Sequence, residues 1–288
     1  MQRKPATSLL IAMIGFIFTA TYSHGAEERP IDVIEDNSFL IEEAYNQEPG
    51  VVQHIFTAIY NNDSRNRGWN FNFTQEWPVF SQDHQFSYSV PSSHFIDGVD
   101  RIYGSGDILI NYRYQALEED DVKPAFAPRF SLILPTGNRD RGTGNGVVGY
   151  QWSLPFSKKL ASRVAMHANF GVTYLPGVQM RLDGSTGALS PKRSLVSYNL
   201  GASAIFAILP RLHFMLEWVG VFEENINDRG KATRDFMPIL SPGFRAAVVN
   251  EEKLQVVVGS AAPIGLNRKA NNFGALLYFS VEHDFIPK

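Results

Sequence analysis

From about Val52 to Phe285 the chain repeats one pattern: a run of about ten residues in which apolar and polar side chains alternate, then a turn, then another run. A period of two puts successive side chains on opposite faces of a strand, so each run carries one apolar and one polar face. The final run shows it best, with Phe273, Ala275, Leu277, Phe279, Val281 and Phe285 on one face and Gly274, Tyr278, Ser280, Glu282 and Asp284 on the other. Trp69, Phe71, Phe73 and Trp77 likewise oppose Asn70, Asn72, Thr74 and Glu76. One face suits lipid and the other water. The pattern predicts an all-β transmembrane antiparallel barrel of about twelve strands, near 52–60, 68–77, 85–90, 107–115, 125–134, 147–156, 162–174, 194–208, 211–222, 235–249, 253–261 and 272–285.

The connections after even-numbered strands look short, as at 157–161, 209–210 and 250–252. Those after odd-numbered strands are longer and richer in Gly, Asn, Asp and Arg, as at 91–106, 135–146, 175–193, 223–234 and 263–271. Short periplasmic turns and long extracellular loops are the asymmetry of outer-membrane barrels. Closure has a physical cause: in hydrocarbon every backbone donor and acceptor needs an internal partner, so a sheet cannot leave an open edge. Pro238 and Pro242 cannot donate to a ladder, so the tenth strand is expected to hold a bulge, start late or rise above the membrane; Pro128 raises a milder version of the same doubt.

Ahead of the strands, Arg3 and Lys4, the apolar run Leu9 to Ala20 and the small residues Ser23, Gly25 and Ala26 make a secretory signal over residues 1–25. No later apolar run reaches the length of a bilayer-spanning helix, so a helical membrane protein is excluded. Residues 26–50 are acidic, with Glu27, Glu28, Asp32, Glu35, Asp36, Glu42, Glu43 and Glu48, and show little periodicity. They read as a segment preceding the barrel of residues 51–288: a solvated tail or short amphipathic helix on the periplasmic side, in preference to a plug reaching into the lumen. An aromatic content of 12% and 23 glycines suit strands and turns, and the absence of cysteine removes any disulfide framework or thiolate metal site. A net charge of −3 leaves no basic excess to neutralise phosphates, so nucleic acid is not expected as a partner. The expected partners are outer-membrane lipid of a Gram-negative-type envelope and a small-molecule solute; the sequence does not set the oligomeric state.

Two motifs carry a family resemblance. Gly104-Ser105-Gly106-Asp107-Ile108 leads into Asn111-Tyr112-Arg113-Tyr114, and Leu134-Pro135-Thr136-Gly137 precedes Arg141-Gly142-Thr143-Gly144-Asn145-Gly146 and Tyr150. With these, the stretch from roughly Gly104 to Phe285 resembles the outer-membrane transporter family named for the meta-pathway of phenol degradation. The resemblance implies a porin-like barrel passing small, often aromatic or hydrophobic, molecules, and it brings no catalytic residues.

Inward parity places Asp107, Asn111, Arg113, Arg129, Arg163, His167, Asn169, Asn199, His213, Glu217, Arg245 and Glu282 on the lumen side. Charges at mid-strand are costly toward lipid, so they must be paired inside or wet. Paired, they fill a narrow barrel, the preferred reading for any single one; wet, they line a pore. Arg113, Arg129, His167, Glu217 and Arg245 are the leading pore-lining candidates. Gly142 to Gly146 lacks the Lys-Ser/Thr of a phosphate loop and reads as turn glycines, and Asp97, Asp100 and Asp107 do not have the spacing of a helical calcium loop. An outer-membrane hydrolase is a rival, with His167, His213 and His283 and serines such as Ser162, Ser197 and Ser280, but no Gly-x-Ser-x-Gly elbow occurs. No cofactor or metal is expected, since no histidine pair has a ligand-like spacing. The sequence therefore predicts a non-enzymatic channel for passive passage of small molecules, with a closed structural or surface-binding barrel as the alternative.

Overall fold

Each of the twelve predicted runs forms a strand in the computed structural model, which describes residues 36–62, 66–97, 100–181, 188–227, 229–270 and 273–285. The signal predicted over residues 1–25 lies outside them. The strands are β1 (Val51–Asn62), β2 (Asn66–Val79), β3 (Ser81–Asp97), β4 (Ile108–Tyr114), β5 (Arg129–Leu134), β6 (Gly149–Ala161), β7 (Val164–Val178), β8 (Arg193–Leu209), β9 (Leu212–Ile226), β10 (Ala232–Glu251), β11 (Leu254–Ala261) and β12 (Phe273–Asp284). Each pairs antiparallel with the next, and β12 returns to β1 in unbroken register from Val51↔Asp284 to Asn62↔Phe273. The ring therefore leaves no open edge, as a sheet in hydrocarbon requires. Three short strands lie off it: Asp100–Ser105 on β3, Ala125–Phe126 on β6 and Ile264–Gly265 on β10.

Alternation is realised as two environments. On β12, Gly274, Leu276, Tyr278 and Ser280 are buried inside while Phe273, Leu277 and Phe279 are exposed outside. The outer wall carries Phe56, Phe130, Trp152, Phe170 and Leu200, together with the ring contacts Phe206–Phe214 and Phe214–Phe244. So large a bare apolar surface is stable only against lipid. The inner face is less uniformly polar than the alternation suggests, because Ile55, Ile205, Met215, Val257 and Leu276 point inward and form one buried cluster with Phe39.

The proline expectations resolve in particular ways. Pro128 does break its run, separating Ala125–Phe126 from β5. Pro238 and Pro242 lie inside a continuous β10, paired with Gly220 and Leu216 of β9. Their carbonyls accept from Leu266 and Ala262, residues beyond the end of β11. A strand residue presents its N–H and C=O to the same side, so the two missing donors face a loop rather than the β9 ladder. The bulge in β10 occurs elsewhere, between Ala247 and Val249 on the β11 side. β3 runs on through Pro91 to Asp97, so part of the expected 91–106 loop is instead a hairpin with Asp100–Ser105.

The stretch before β1 departs from the preferred sequence reading. Residues 36–50 contain no helix, and Asp36, Ser38, Phe39, Ile41, Glu43, Ala44, Asn46 and Gln47 are buried. Their partners are inward side chains of the strands, so for these residues a solvated tail or helix gives way to a plug. The physical reason is complementarity: an acidic strand of chain meets inward guanidinium groups that would otherwise be buried without a counter-charge.

Candidate functional site

The plug is held first by arginines. Arg113 on β4, 2% exposed, donates from Nε to Asn46 Oδ1 at 2.8 Å and from Nη2 to the Tyr45 carbonyl at 2.6 Å. Its Nη1 reaches the Glu43 carbonyl at 3.1 Å and Glu42 Oε1 at 3.4 Å. Arg129 on β5 donates from Nε to both Glu42 carboxylate oxygens, at 2.9 and 3.0 Å. Ser153 adds a bond to Glu42 Oε2 at 3.4 Å. The Asn169 amide, oriented to match donors with acceptors, brackets the Glu42 backbone at 2.8 Å on both sides. Arg245 on β10, 1% exposed, donates to the carbonyls of Asp36 and Asn37 at 2.7 and 2.8 Å.

Acceptors on the wall take the plug's own donors. Glu217 Oε1 on β9 accepts from the N–H groups of Leu40 and Ile41 at 2.8 and 3.3 Å. Asp36 reverses the direction, accepting on Oδ1 from Gln53 Nε2 at 2.8 Å and from the Tyr278 hydroxyl at 2.7 Å. Ala44 donates to Ser157 Oγ at 2.7 Å, and that hydroxyl lies 2.6 Å from His167 Nδ1. Ser157 Oγ accepts from Ala44 and still holds a proton and a second lone pair, so it can pair with either tautomer of His167.

Glycines make room for the plug's apolar side chains. A Cβ on Gly259 would sit 2.4 Å from Phe39 Cε1, one on Gly243 2.8 Å from Phe39 Cε2, and one on Gly201 2.4 Å from Ile41 Cδ1. These positions lie on the lumen parity of three strands, and any other residue there would occupy the seat of the plug. Phe39 also rests against Tyr278, with ring centroids 5.3 Å apart.

Over plug residues 37–42 lies a cavity of about 210 Å³. Its wall is Thr57, Asn72, Thr74, Ser87, Ser89 and Asn111, with Ile55 and Leu109 between them. The floor is the plug itself, including Phe39, Leu40 and Ile41, with Glu42 and Arg129 at one side. Asn37, Ser38 and Glu76 line it as well, so hydroxyl, amide and carboxylate groups share the lining with the apolar side chains of Phe39, Leu40 and Ile41.

On the loop side the two sequence motifs meet. Asp107, buried, accepts from Gly137 N at 2.9 Å on Oδ1, and from Asn145 N at 2.7 Å and Asn145 Nδ2 at 3.0 Å on Oδ2. Gly142 and Gly146 adopt φ of 72° and 68°, which glycine tolerates without steric cost, so the turn reading of this segment stands. Both carboxylate oxygens of Asp107 are committed to loop N–H donors. Asp107→Ala removes the acceptor for three donors and is expected to weaken the loop by about 2–3 kcal/mol. Trypsin should then cut after Arg139 or Arg141 at least about tenfold faster in a barrel that otherwise stays folded, and an unchanged cleavage rate would contradict this anchoring role.

All five residues singled out from the sequence, Arg113, Arg129, His167, Glu217 and Arg245, point inward, and all five serve the plug directly or, for His167, through Ser157. Sequence reasoning did not single out Asp36, Glu42, Gln53, Tyr278 or the cradle glycines. The acidic run was visible, but nothing local says which arginine meets which carboxylate. His167 has Ser157 as its one hydrogen-bond partner among the described residues, and both are buried beneath Ala44, an arrangement unlike an accessible hydrolytic centre.

A twelve-stranded antiparallel barrel with an apolar exterior, a lumen of polar wall groups and a chain segment seated inside it is a transmembrane β-barrel of the outer-membrane type. Residues 50–175 match the model of the family described as "Putative MetA-pathway of phenol degradation", so the resemblance is found over β1 to β7, beginning earlier and ending sooner than the motifs suggested. The fold is similar to that of the COG4313 outer membrane channel from Pseudomonas putida F1, with a TM-score of 0.65 at 14% identity over 83% of this chain and 97% of that one. Weaker similarity extends to the NanC porin, with a TM-score of 0.49 at 10% identity over 80% of this chain and 98% of that one. The CymD monoaromatic hydrocarbon channel gives 0.41 at 10% identity, over 84% and 90%. Among curated protein sequences nothing matches.

Proposed function

We propose that the protein is an outer-membrane channel for passive passage of small molecules, exported by its N-terminal signal and shut by residues 36–50. The observation that carries this reading is what does the shutting: a separate stretch of chain, attached to the wall by hydrogen bonds, ion pairs and one seated aromatic ring. A barrel filled only for stability can use wall side chains; here removal of the stretch would leave a bore. Arg113, Arg129, His167, Glu217 and Arg245 would line that bore once the plug shifts. Diffusion needs no catalytic group, and the fold similarity to the COG4313 outer membrane channel supports transport without chemistry.

The cavity sets hydroxyl and amide groups beside the apolar side chains of Phe39, Leu40 and Ile41, which suits a solute carrying a ring and one or two hydrogen-bonding groups. A phenol-like molecule has that form, in keeping with the pathway that the family's description names. The occluded lumen also favours a second reading, a closed structural or surface-binding barrel.

Deletion of residues 36–47 separates the two. In planar bilayers the full chain is expected to open briefly and rarely, and the deletion variant to conduct steadily. Liposomes carrying the full chain should take up small phenols. A full chain that never opens and admits no solute, beside a conducting deletion variant, would favour the closed barrel. A folded deletion variant without conductance would defeat the channel reading altogether.

A further inference from the structure

The imidazoles of His54 and His283 meet on the outer wall, at the seam where the first strand closes on the last. Register pairs Val52 with His283 and His54 with Val281, so the two histidines are diagonal neighbours on one face. Their Nε2 atoms are 3.3 Å apart and their rings are stacked, with centroids at 5.4 Å and planes 24° apart. The sequence shows no such pair, because the partners stand 229 positions apart.

We propose that His54 and His283 form a two-imidazole site for a divalent transition metal of the zinc and copper class, clamping the β12–β1 seam. Two metal–nitrogen bonds of about 2.0–2.1 Å at a tetrahedral angle span about 3.3 Å between the nitrogens. The observed separation has that span without movement, at the long end for the N–H···N hydrogen bond of the metal-free pair. His283 is already in the ligand tautomer: its Nδ1 lies 3.0 Å from the Asp284 carbonyl, which can only accept, so Nδ1 carries the proton and Nε2 presents a lone pair. That bond is the usual outer support of a metal-bound imidazole. His54 lies nearly parallel to Phe73, with centroids 6.3 Å apart, which limits its swing. In the metal-free pair His54 donates its Nε2 proton to His283. On binding, His54 changes tautomer, losing its Nε2 proton to water while Nδ1 takes one up, so both imidazoles stay neutral; the two Nε2 lone pairs become the metal bonds, and water completes the coordination.

Position supports access. His283 precedes the last residue of β12 and His54 is the fourth residue of β1, so the pair sits at the strand ends away from the long loops, where water and headgroups reach the wall. The neighbours on that face are Phe73, Gln75, Leu254 and Val281, none of them charged. Every other neighbouring pair of barrel strands is joined in sequence; this one has no connecting turn and is held by its ladder and, inside, by Asp36 between Gln53 and Tyr278, so a cross-link on the outer wall acts on the closure itself.

The test uses the full chain without a histidine tag, in detergent micelles, with Zn²⁺ and Cu²⁺ as probes. Zn²⁺ should bind at one site per chain and raise the unfolding midpoint by a few degrees, and Cu²⁺ should give an electron paramagnetic spectrum with coupling to two imidazole nitrogens. His54→Gln and His283→Gln, which keep bulk on the wall, should each weaken binding at least about tenfold and remove the midpoint shift, whereas exposed His94→Ala should change neither. Binding that survives in the double variant, that falls equally in His94→Ala, or that lacks two-nitrogen coupling would overturn the proposal.

Discussion

Replacing Glu42 with alanine is expected to unseat the plug while leaving the barrel standing. Glu42 is the shared counter-charge of Arg113 and Arg129, at 3.4 and 2.9 Å, and the guanidinium of Arg113 is almost wholly enclosed. Removing one partner of a buried pair costs about 3–5 kcal/mol, because the other charge stays behind without compensation. Glu42 retains 21% of its side-chain exposure, so the lower end applies, about 3 kcal/mol. At about 1.4 kcal/mol per tenfold, the population with the segment released should rise about a hundredfold. The β ladder does not depend on Glu42, so the far-ultraviolet spectrum and heat-resistant migration of the barrel should persist. Planar-bilayer currents should become frequent, and a protease added from the periplasmic side should cut within residues 36–50. Glu42→Gln, which keeps the shape and loses the charge, should fall between parent and alanine variant. Currents and cleavage indistinguishable from the parent would show that the arginine pair does not hold the plug.

Gly259→Leu should displace the plug by a different route. There is no space for a side chain at this position, since even a Cβ would lie 2.4 Å from Phe39 Cε1 and 2.5 Å from Cζ. Overpacking of a filled site costs about 1–3 kcal/mol, and here the ring can escape only by leaving its contact with Tyr278. Phe39→Ala alone should also loosen the plug, by loss of burial. The two changes together should be milder than their sum, because the leucine then fills the space that the ring vacates. Conductance and unfolding midpoint across the four proteins would measure this coupling. Strict additivity would mean that Gly259 and Phe39 do not share one site, and the cradle would lose its support.

The two variants probe the two halves of one seat, and the sequence showed those halves unequally. Inward Arg113, Arg129 and Arg245 could be placed by parity, because a charge at mid-strand has only one tolerable direction. Gly259 on β11 shares the inward parity, yet a glycine in a strand carries no mark of what lies against it. Residues 36–50 were harder still. Their acidity was plain, but an irregular stretch has no period from which a face can be read, and acidic segments before a domain are most often solvated. Pro238 and Pro242 show a third kind of gap: the sequence says that a donor is missing, and only the pairing says that it faces a loop.

What the sequence by itself determined was the closed twelve-stranded wall and, along the strands, the side on which most residues lie; Arg163, placed inside by parity, stands exposed in the turn before β7. Wall and sidedness both follow from the two-residue repeat of a strand set between two solvents, a local property. What only the tertiary structure decided was the content of the lumen and the meeting of His54 with His283. Those contacts join residues far apart along the chain: Glu42 to Arg129 across 87 positions, Asp36 to Tyr278 across 242. They exist because closure of the ring brings every inward face to one narrow space, where burial without a partner costs more than any single strand could have offset.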